Sequence, residues 1–237
     1  MKRSSSILKR VLAASPEARK SLGTRLFLNL RWHFTPYDEM ARELPRWGRL
    51  LDLGCGHGLL AMELALSERA REVIGVDHDT ARISVAAQAS QGISNLRFEE
   101  GSVLAPPSGP FAGIAIIDTL HYFEPRVQEG ILQGVFQALA PGGTLIAREV
   151  DPDAGLVSKW NRLYERIATS SGFTRTSRQT AGAEGKPLHF RNPEQWTGLL
   201  ERLGFTVRVR KCSHPLFADM LYVATKPDNK PRAVPRA

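Results

Sequence analysis

The 237-residue chain is 42% apolar with a formal net charge of +8, enough for one α/β domain with its own core, and no apolar run nears the length of a membrane span. Residues 1–31 hold eight Lys/Arg against one acid and residues 226–237 four against one, which leaves −2 for 32–225. A near-neutral body argues against a basic nucleic-acid groove, and two cysteines, Cys55 and Cys212, exclude a disulfide framework and fit reduced thiols in the cytoplasm.

In chain order, residues 1–20 are basic, and Lys9 and Arg10 interrupt their apolar pieces at 7–8 and 11–14, a poor leader pattern. Residues 21–37 are aromatic and amphipathic. Leu22, Leu26 and Leu30 recur at helical spacing, with Phe27, Trp32, Phe34 and Tyr37 nearby and Arg25 and Arg31 between them. This predicts a helix that packs on the domain or covers a ligand. A strand at 49–53 leads to a helix at 58–67, a strand at 72–76 to a helix at 80–89, and strands follow at 95–98 and 113–117. Val127, Ile131, Leu132, Val135, Phe136 and Leu139 mark a helix over 126–139; Pro141-Gly142-Gly143 reads as a turn before a strand at 144–150. Such alternation predicts an α/β, doubly wound, Rossmann-like sheet. Residues 151–193 lose periodicity and read as a lid insertion. A helix at 194–203, closed by Gly204, precedes strands at 205–211 and 220–225, for seven strands in all. The expected organisation is a basic helical segment over 1–37, a domain over 38–226 with the insertion, and a disordered basic tail over 227–237.

The most informative stretch is Leu51-Asp52-Leu53-Gly54-Cys55-Gly56-His57-Gly58, which leaves a strand and enters a helix. Its spacing is G-x-G-x-G, not the G-x-G-x-x-G of a dinucleotide turn, and Asp52 stands two residues before the first glycine. A carboxylate beside a phosphate is unfavourable, whereas beside an ammonium it is favourable. The expected ligand therefore carries an amino-acid cation. Asp77 ends the next apolar strand, 19 residues after Gly58, where a carboxylate can accept both hydroxyls of a ribose.

From about Leu50 to Glu149 the sequence resembles the class I S-adenosylmethionine-dependent methyltransferases that act on small molecules. The motifs are 51–58, Val76-Asp77, 95–102, Ile116-Ile117-Asp118-Thr119-Leu120-His121 and Leu139-Ala140-Pro141-Gly142-Gly143-Thr144-Leu145, and Gly204-Phe205 and the strand 221–226 are similar as well. The resemblance implies a mostly parallel seven-stranded sheet with an antiparallel final strand. It implies S-adenosylmethionine as cofactor and S-adenosylhomocysteine as product; His57, His121, His189 and Cys55 have no metal-motif spacing, so no metal is expected. Cofactor contacts are expected from Asp52, Gly54, Cys55, Gly56, Gly58, Asp77, His78, Ser102, Val103 and Asp118. Ser102 stands where the family usually carries an Asp toward the adenine amino group, which predicts a weaker hold there, with Glu100 as a conceivable substitute.

The acceptor is expected at the carboxyl ends of the central strands. His121 is the first candidate base, then Glu149, which could instead pair with Arg148, and then His189. Trp32, Tyr37, Tyr122, Tyr164 and Phe190 are the candidate acceptor contacts. The Pro-Pro-aromatic motif of nucleic-acid amino-methylating relatives is missing after Asp118. The expected acceptor is thus a small or carrier-bound molecule, aromatic, polyketide-like or lipid-like, methylated at oxygen. RNA methylation, a non-catalytic cofactor-binding role and a nicotinamide oxidoreductase are the alternatives. The basic amino-terminal region could dock an acyl carrier protein or an anionic membrane surface, giving a cytoplasmic or peripheral location.

Overall fold

The computed structural model describes residues 4–154, 188–212 and 218–228. Four helices come first: α1 (Ser4–Ala14), α2 (Pro16–Lys20), α3 (Leu22–Phe34) and α4 (Tyr37–Glu43). They lead into β1 (Gly48–Leu53), α5 (Leu59–Ser67), β2 (Arg71–Asp77), α6 (Thr80–Ala89), β3 (Leu96–Glu100) and β4 (Phe111–Ile117). A 3₁₀ turn (Leu120–Tyr122), α7 (Pro125–Ala138), β5 (Leu139–Val150), α8 (Pro193–Arg202), β6 (Thr206–Lys211) and β7 (Asp219–Thr225) complete the described elements.

The seven strands form one sheet in the order β3-β2-β1-β4-β5-β7-β6. The first five are mutually parallel, and β7 runs antiparallel to both of its neighbours. This is the expected Rossmann-like architecture, with helices on both faces. Alternation along the strands feeds two cores: Leu50, Ala115, Ile117 and Ile146 point to one face, and Leu51, Leu53, Ile114, Ile116 and Leu145 to the other. α5 carries apolar residues all round because α4 and the sheet bury it from two sides; Leu59, Leu60, Ala61, Met62 and Leu64 are all buried. The expected turn at 141–143 is a bulge within β5. Leu139 pairs with Phe111 and Thr144 with Gly113, so four residues on β5 face one on β4.

Residues 1–20 hold more regular structure than their charge suggests. Ile7 and Val11, both 0% exposed, and Leu8 and Ala14 lie on one face of α1, in the same core as Leu50, Leu60 and Met62. Ser15 and Ser21 cap α2 and α3 through their hydroxyls. The leucine stripe of α3 does not face the domain. Thr24 and Leu28 are buried, whereas Leu22 and Leu26 are 82% and 59% exposed. Tyr164 and most of the expected insertion and tail fall outside the described residues.

Candidate cofactor and acceptor site

The strand order reverses between β1 and β4, so the carboxyl ends of β1, β2 and β4 open onto one cleft, the usual ligand position in such sheets. The turn after β1 bends through Gly54, Gly56 and Gly58, all at positive φ. A Cβ at Gly58 would enter the Phe98 ring, while one at Gly56 would point into open space, so the left-handed backbone itself reserves position 56 for glycine. The turn spends its amides inside the protein: Gly54 N and Cys55 N donate to Val76 O, Gly58 N to Cys55 O, and Gly56 N to Asp77 Oδ2 at 2.8 Å. A pyrophosphate site needs such donors aimed at the ligand; here four of the five are committed elsewhere.

Asp52 lines the cleft and is 3% exposed. Its Oδ2 is buried with no hydrogen-bond partner among the described residues. Burial, with help from the Asp77 charge, pushes its carboxyl up to about 7. A buried carboxylate lacking a donor is costly, and a ligand ammonium would satisfy it. Asp77 beside it accepts from Asp79 N at 2.9 Å as well as from Gly56 N, and retains lone pairs for hydroxyl donors. His78 lies 3.5 Å from Asp77 through Nδ1. The acceptor set therefore fits an amino-acid cation joined to a ribose.

Val103, buried, and Ser102 and Leu104, exposed, line the next part of the cleft. The Ser102 hydroxyl accepts from Leu104 N at 3.2 Å. Glu100 is not a substitute for the missing acid: it is exposed, outside the cleft lining, and bound by the Thr80 hydroxyl at 2.8 Å.

On the opposite wall Asp118 sits at φ 53, a strained value for a non-glycine residue. Arg148 on β5 holds both its oxygens at 2.6 Å, and also bonds Asp219 at the start of β7. Burial opposes the Arg148 charge, but Asp118 and Asp219 outweigh it and raise its pKa. Arg31 approaches Asp118 to 3.5 Å and lies beside Tyr37. Arg31, Phe27, Tyr37, His57, Arg82 and Thr119 all line the cleft, and of these only Tyr37 was expected from sequence as a contact. Phe27 and Arg31 are four apart on α3, a spacing that could have paired them. Burial pushes His57 down to about 3, so it is neutral at pH 7.

The candidate bases lie behind this wall. His121 is 1% exposed and does not line the cleft; its Nδ1 is 2.7 Å from Glu149 Oε2. The other oxygen of Glu149 accepts from Leu120 N at 2.8 Å and Thr119 N at 3.2 Å. Glu149 thus pairs with His121 and not with Arg148, which corrects the alternative drawn from their adjacency. A carboxylate only accepts, so the Nδ1 of His121 is the protonated nitrogen. Phe190 stacks on His121 with centroids 5.2 Å apart, and Tyr122, which lines the cleft, packs against it in a tilted arrangement at 4.3 Å. His189 is held through its backbone, to His121 O and from Gln128, and its ring does not line the cleft. Trp32 is likewise outside the lining, stacked on Tyr37 at 5.2 Å. Among the described residues no His, Cys, Asp or Glu group could hold a metal, and no helix is long and apolar enough to cross a membrane.

Comparison with known proteins agrees with this geometry. Residues 50–143 match a family described as a methyltransferase domain. The demethylmenaquinone methyltransferase of Thermus thermophilus is 31% identical over 127 residues, 52% of this chain and 56% of that protein. An S-adenosyl-L-methionine-dependent Diels-Alderase of Talaromyces variabilis is 30% identical over 175 residues, 68% of this chain and 54% of that protein. The chain thus spans about half the length of these curated relatives. An O-methyltransferase family protein from Burkholderia thailandensis has the same fold, with a TM-score of 0.66 at 17% identity over 92% of this chain and 65% of that one. With its sheet order, its glycine turn and its acids at the ends of β1 and β2 in one cleft, the chain shares the fold of the class I methyltransferases, and residues 50–143 match the methyltransferase-domain family.

Proposed function

We propose that the protein transfers a methyl group from S-adenosylmethionine to oxygen on a small apolar acceptor of aromatic, polyketide-like or lipid-like character. The buried Asp52 carboxylate beside the glycine turn, whose Oδ2 has no hydrogen-bond partner among the described residues, carries this reading: it asks for a cation where a dinucleotide would bring phosphate. When bound, the cofactor supplies an electrophilic methyl on a sulfonium. The chain's own residues position and desolvate. Asp52 takes the ammonium, Asp77 the ribose hydroxyls, and Val103 and Ser102 flank the base. Phe27 and Tyr37 close the cleft from α3 and α4 and exclude water from it.

His121 is the group assigned to accept the acceptor's proton; its ring lies behind the cleft wall, so this requires Tyr122, which lines the cleft beside it, to move aside when acceptor binds. Glu149 fixes its tautomer, leaving Nε2 as the basic nitrogen, and Tyr122 and Phe190 pack against the ring. The relative named for a demethylated quinone supports an apolar ring compound as the acceptor. Turnover of methyl-labelled cofactor with a panel of hydroxylated quinones and phenols tests the reading. Product is expected with wild type, and His121→Gln should lower kcat by about 10² to 10⁴ without changing affinity for S-adenosylhomocysteine. Cofactor binding with no label transfer to any hydroxylated acceptor would favour another chemistry, such as the one for which the Diels-Alderase relative is named.

A further inference from the structure

We propose that α3 docks the protein on an anionic lipid surface, with Leu22 and Leu26 entering the bilayer interface beside the mouth of the cleft. Leu22 and Leu26 are one turn apart and 82% and 59% exposed, so they form a joint apolar feature on the solvent side of a helix that buries Thr24 and Leu28. α3 contains no acid: its sequence is LGTRLFLNLRWHF. Arg25 lies between the two leucines, and Arg19 and Lys20 end α2 immediately before them; all three are exposed. Leucines flanked by Lys and Arg on an amphipathic helix are the signature of an interfacial segment.

Charge complementarity selects the occupant. The first 31 residues carry +7 and residues 32–225 carry −2, so the positive field of the folded body is concentrated in the segment that exposes the leucines. A layer of anionic headgroups over an apolar interior matches both features at once. An acidic protein would match the charge but leave Leu22 and Leu26 to find an apolar partner. The same helix joins surface to site: Phe27 and Arg31, on the next turn, line the cleft, and Leu104, also in the lining, is 52% exposed. An acceptor dissolved in the bilayer would enter over this apolar rim without crossing water. That last step rests on the methyl-transfer reading; the docking surface does not.

Co-sedimentation of the full chain with vesicles tests it without any turnover. Wild type should bind phosphatidylcholine vesicles containing phosphatidylglycerol, more tightly as the anionic fraction rises and less tightly as salt rises. Leu22→Glu with Leu26→Glu should weaken binding by about tenfold or more per site while leaving affinity for S-adenosylhomocysteine and the melting temperature unchanged, because both positions are solvent-exposed. No binding to anionic vesicles, or binding that the double variant retains, would overturn the proposal. Retention on an acyl carrier protein with none on vesicles would do the same. Vesicle binding without methyl transfer would uphold docking and remove only the proposed function.

Discussion

At Asp52 protonation and ligand binding are linked. Its carboxyl is raised from 3.8 to about 7 in the folded chain, chiefly by burial. The unfolded chain therefore holds fewer protons than the folded one between these values. The stability this contributes is present at low pH and is lost as pH rises through 7. The ionised, ligand-free form is penalised by on the order of 4 kcal/mol at most. Asp52→Asn should then melt above wild type at pH 8, with the gap closing toward pH 5, in scanning calorimetry without ligand. The same substitution should weaken S-adenosylhomocysteine by ten- to a hundredfold, since a charge-assisted contact is lost. Wild-type affinity should itself fall by up to tenfold per unit as pH drops below 7, and calorimetry in two buffers should detect proton uptake from the site into buffer on binding at pH 6. Asp52 and Asp77 were legible in the sequence because each ends an apolar strand at a fixed distance from the glycines. Arg31 was not, because a cation on an amphipathic helix carries no mark of which way it turns.

The elements around the sheet are tied by one buried cation. Arg148 on β5 bridges Asp118, just after β4, to Asp219 at the start of β7, and reaches Cys212 O. Three chain segments thus meet at a single guanidinium. Arg148→Ala should cost about 3–5 kcal/mol in urea unfolding, because it removes the buried guanidinium that Asp118 and Asp219 share. Arg148→Met combined with Asp219→Leu should recover most of that loss, since it removes a charge from each sign and fills similar volume. Strand positions emerged from apolar runs to within a residue or two, as at 72–76 against Arg71–Asp77, except that β5 begins at Leu139, five residues before the expected 144. The Arg148 bridge and the His121–Glu149 pair join side chains about thirty or more positions apart, and neither register can be read before the strands are aligned. The orientation of α3 was hidden for a different reason. It carries apolar residues at almost every azimuth, so periodicity shows a helix but not which stripe is buried.

Across the whole molecule, charge and core overlap at the amino terminus. Lys9 and Arg10 interrupt the apolar pieces of α1, yet 7, 8, 11 and 14 form one helical face, and the structure buries it against α5 and α6. Arg10 also donates to Ala89 O and Gln91 O, closing the end of α6. The basic segment is therefore part of the fold as well as a source of positive field. Deleting residues 1–14 removes Ile7, Leu8 and Val11 from the core, about 1.5–3 kcal/mol each, and should lower the melting temperature by on the order of 10–20 °C. Val11→Asp should reproduce much of the loss, although it removes only one unit of the +7 carried by residues 1–31. A truncation that abolished vesicle binding would thus report unfolding and docking together, and thermal melts of the deletion and of Val11→Asp separate the two. If both variants melt with wild type, α1 is dispensable to the core and the basic segment acts through its charge alone.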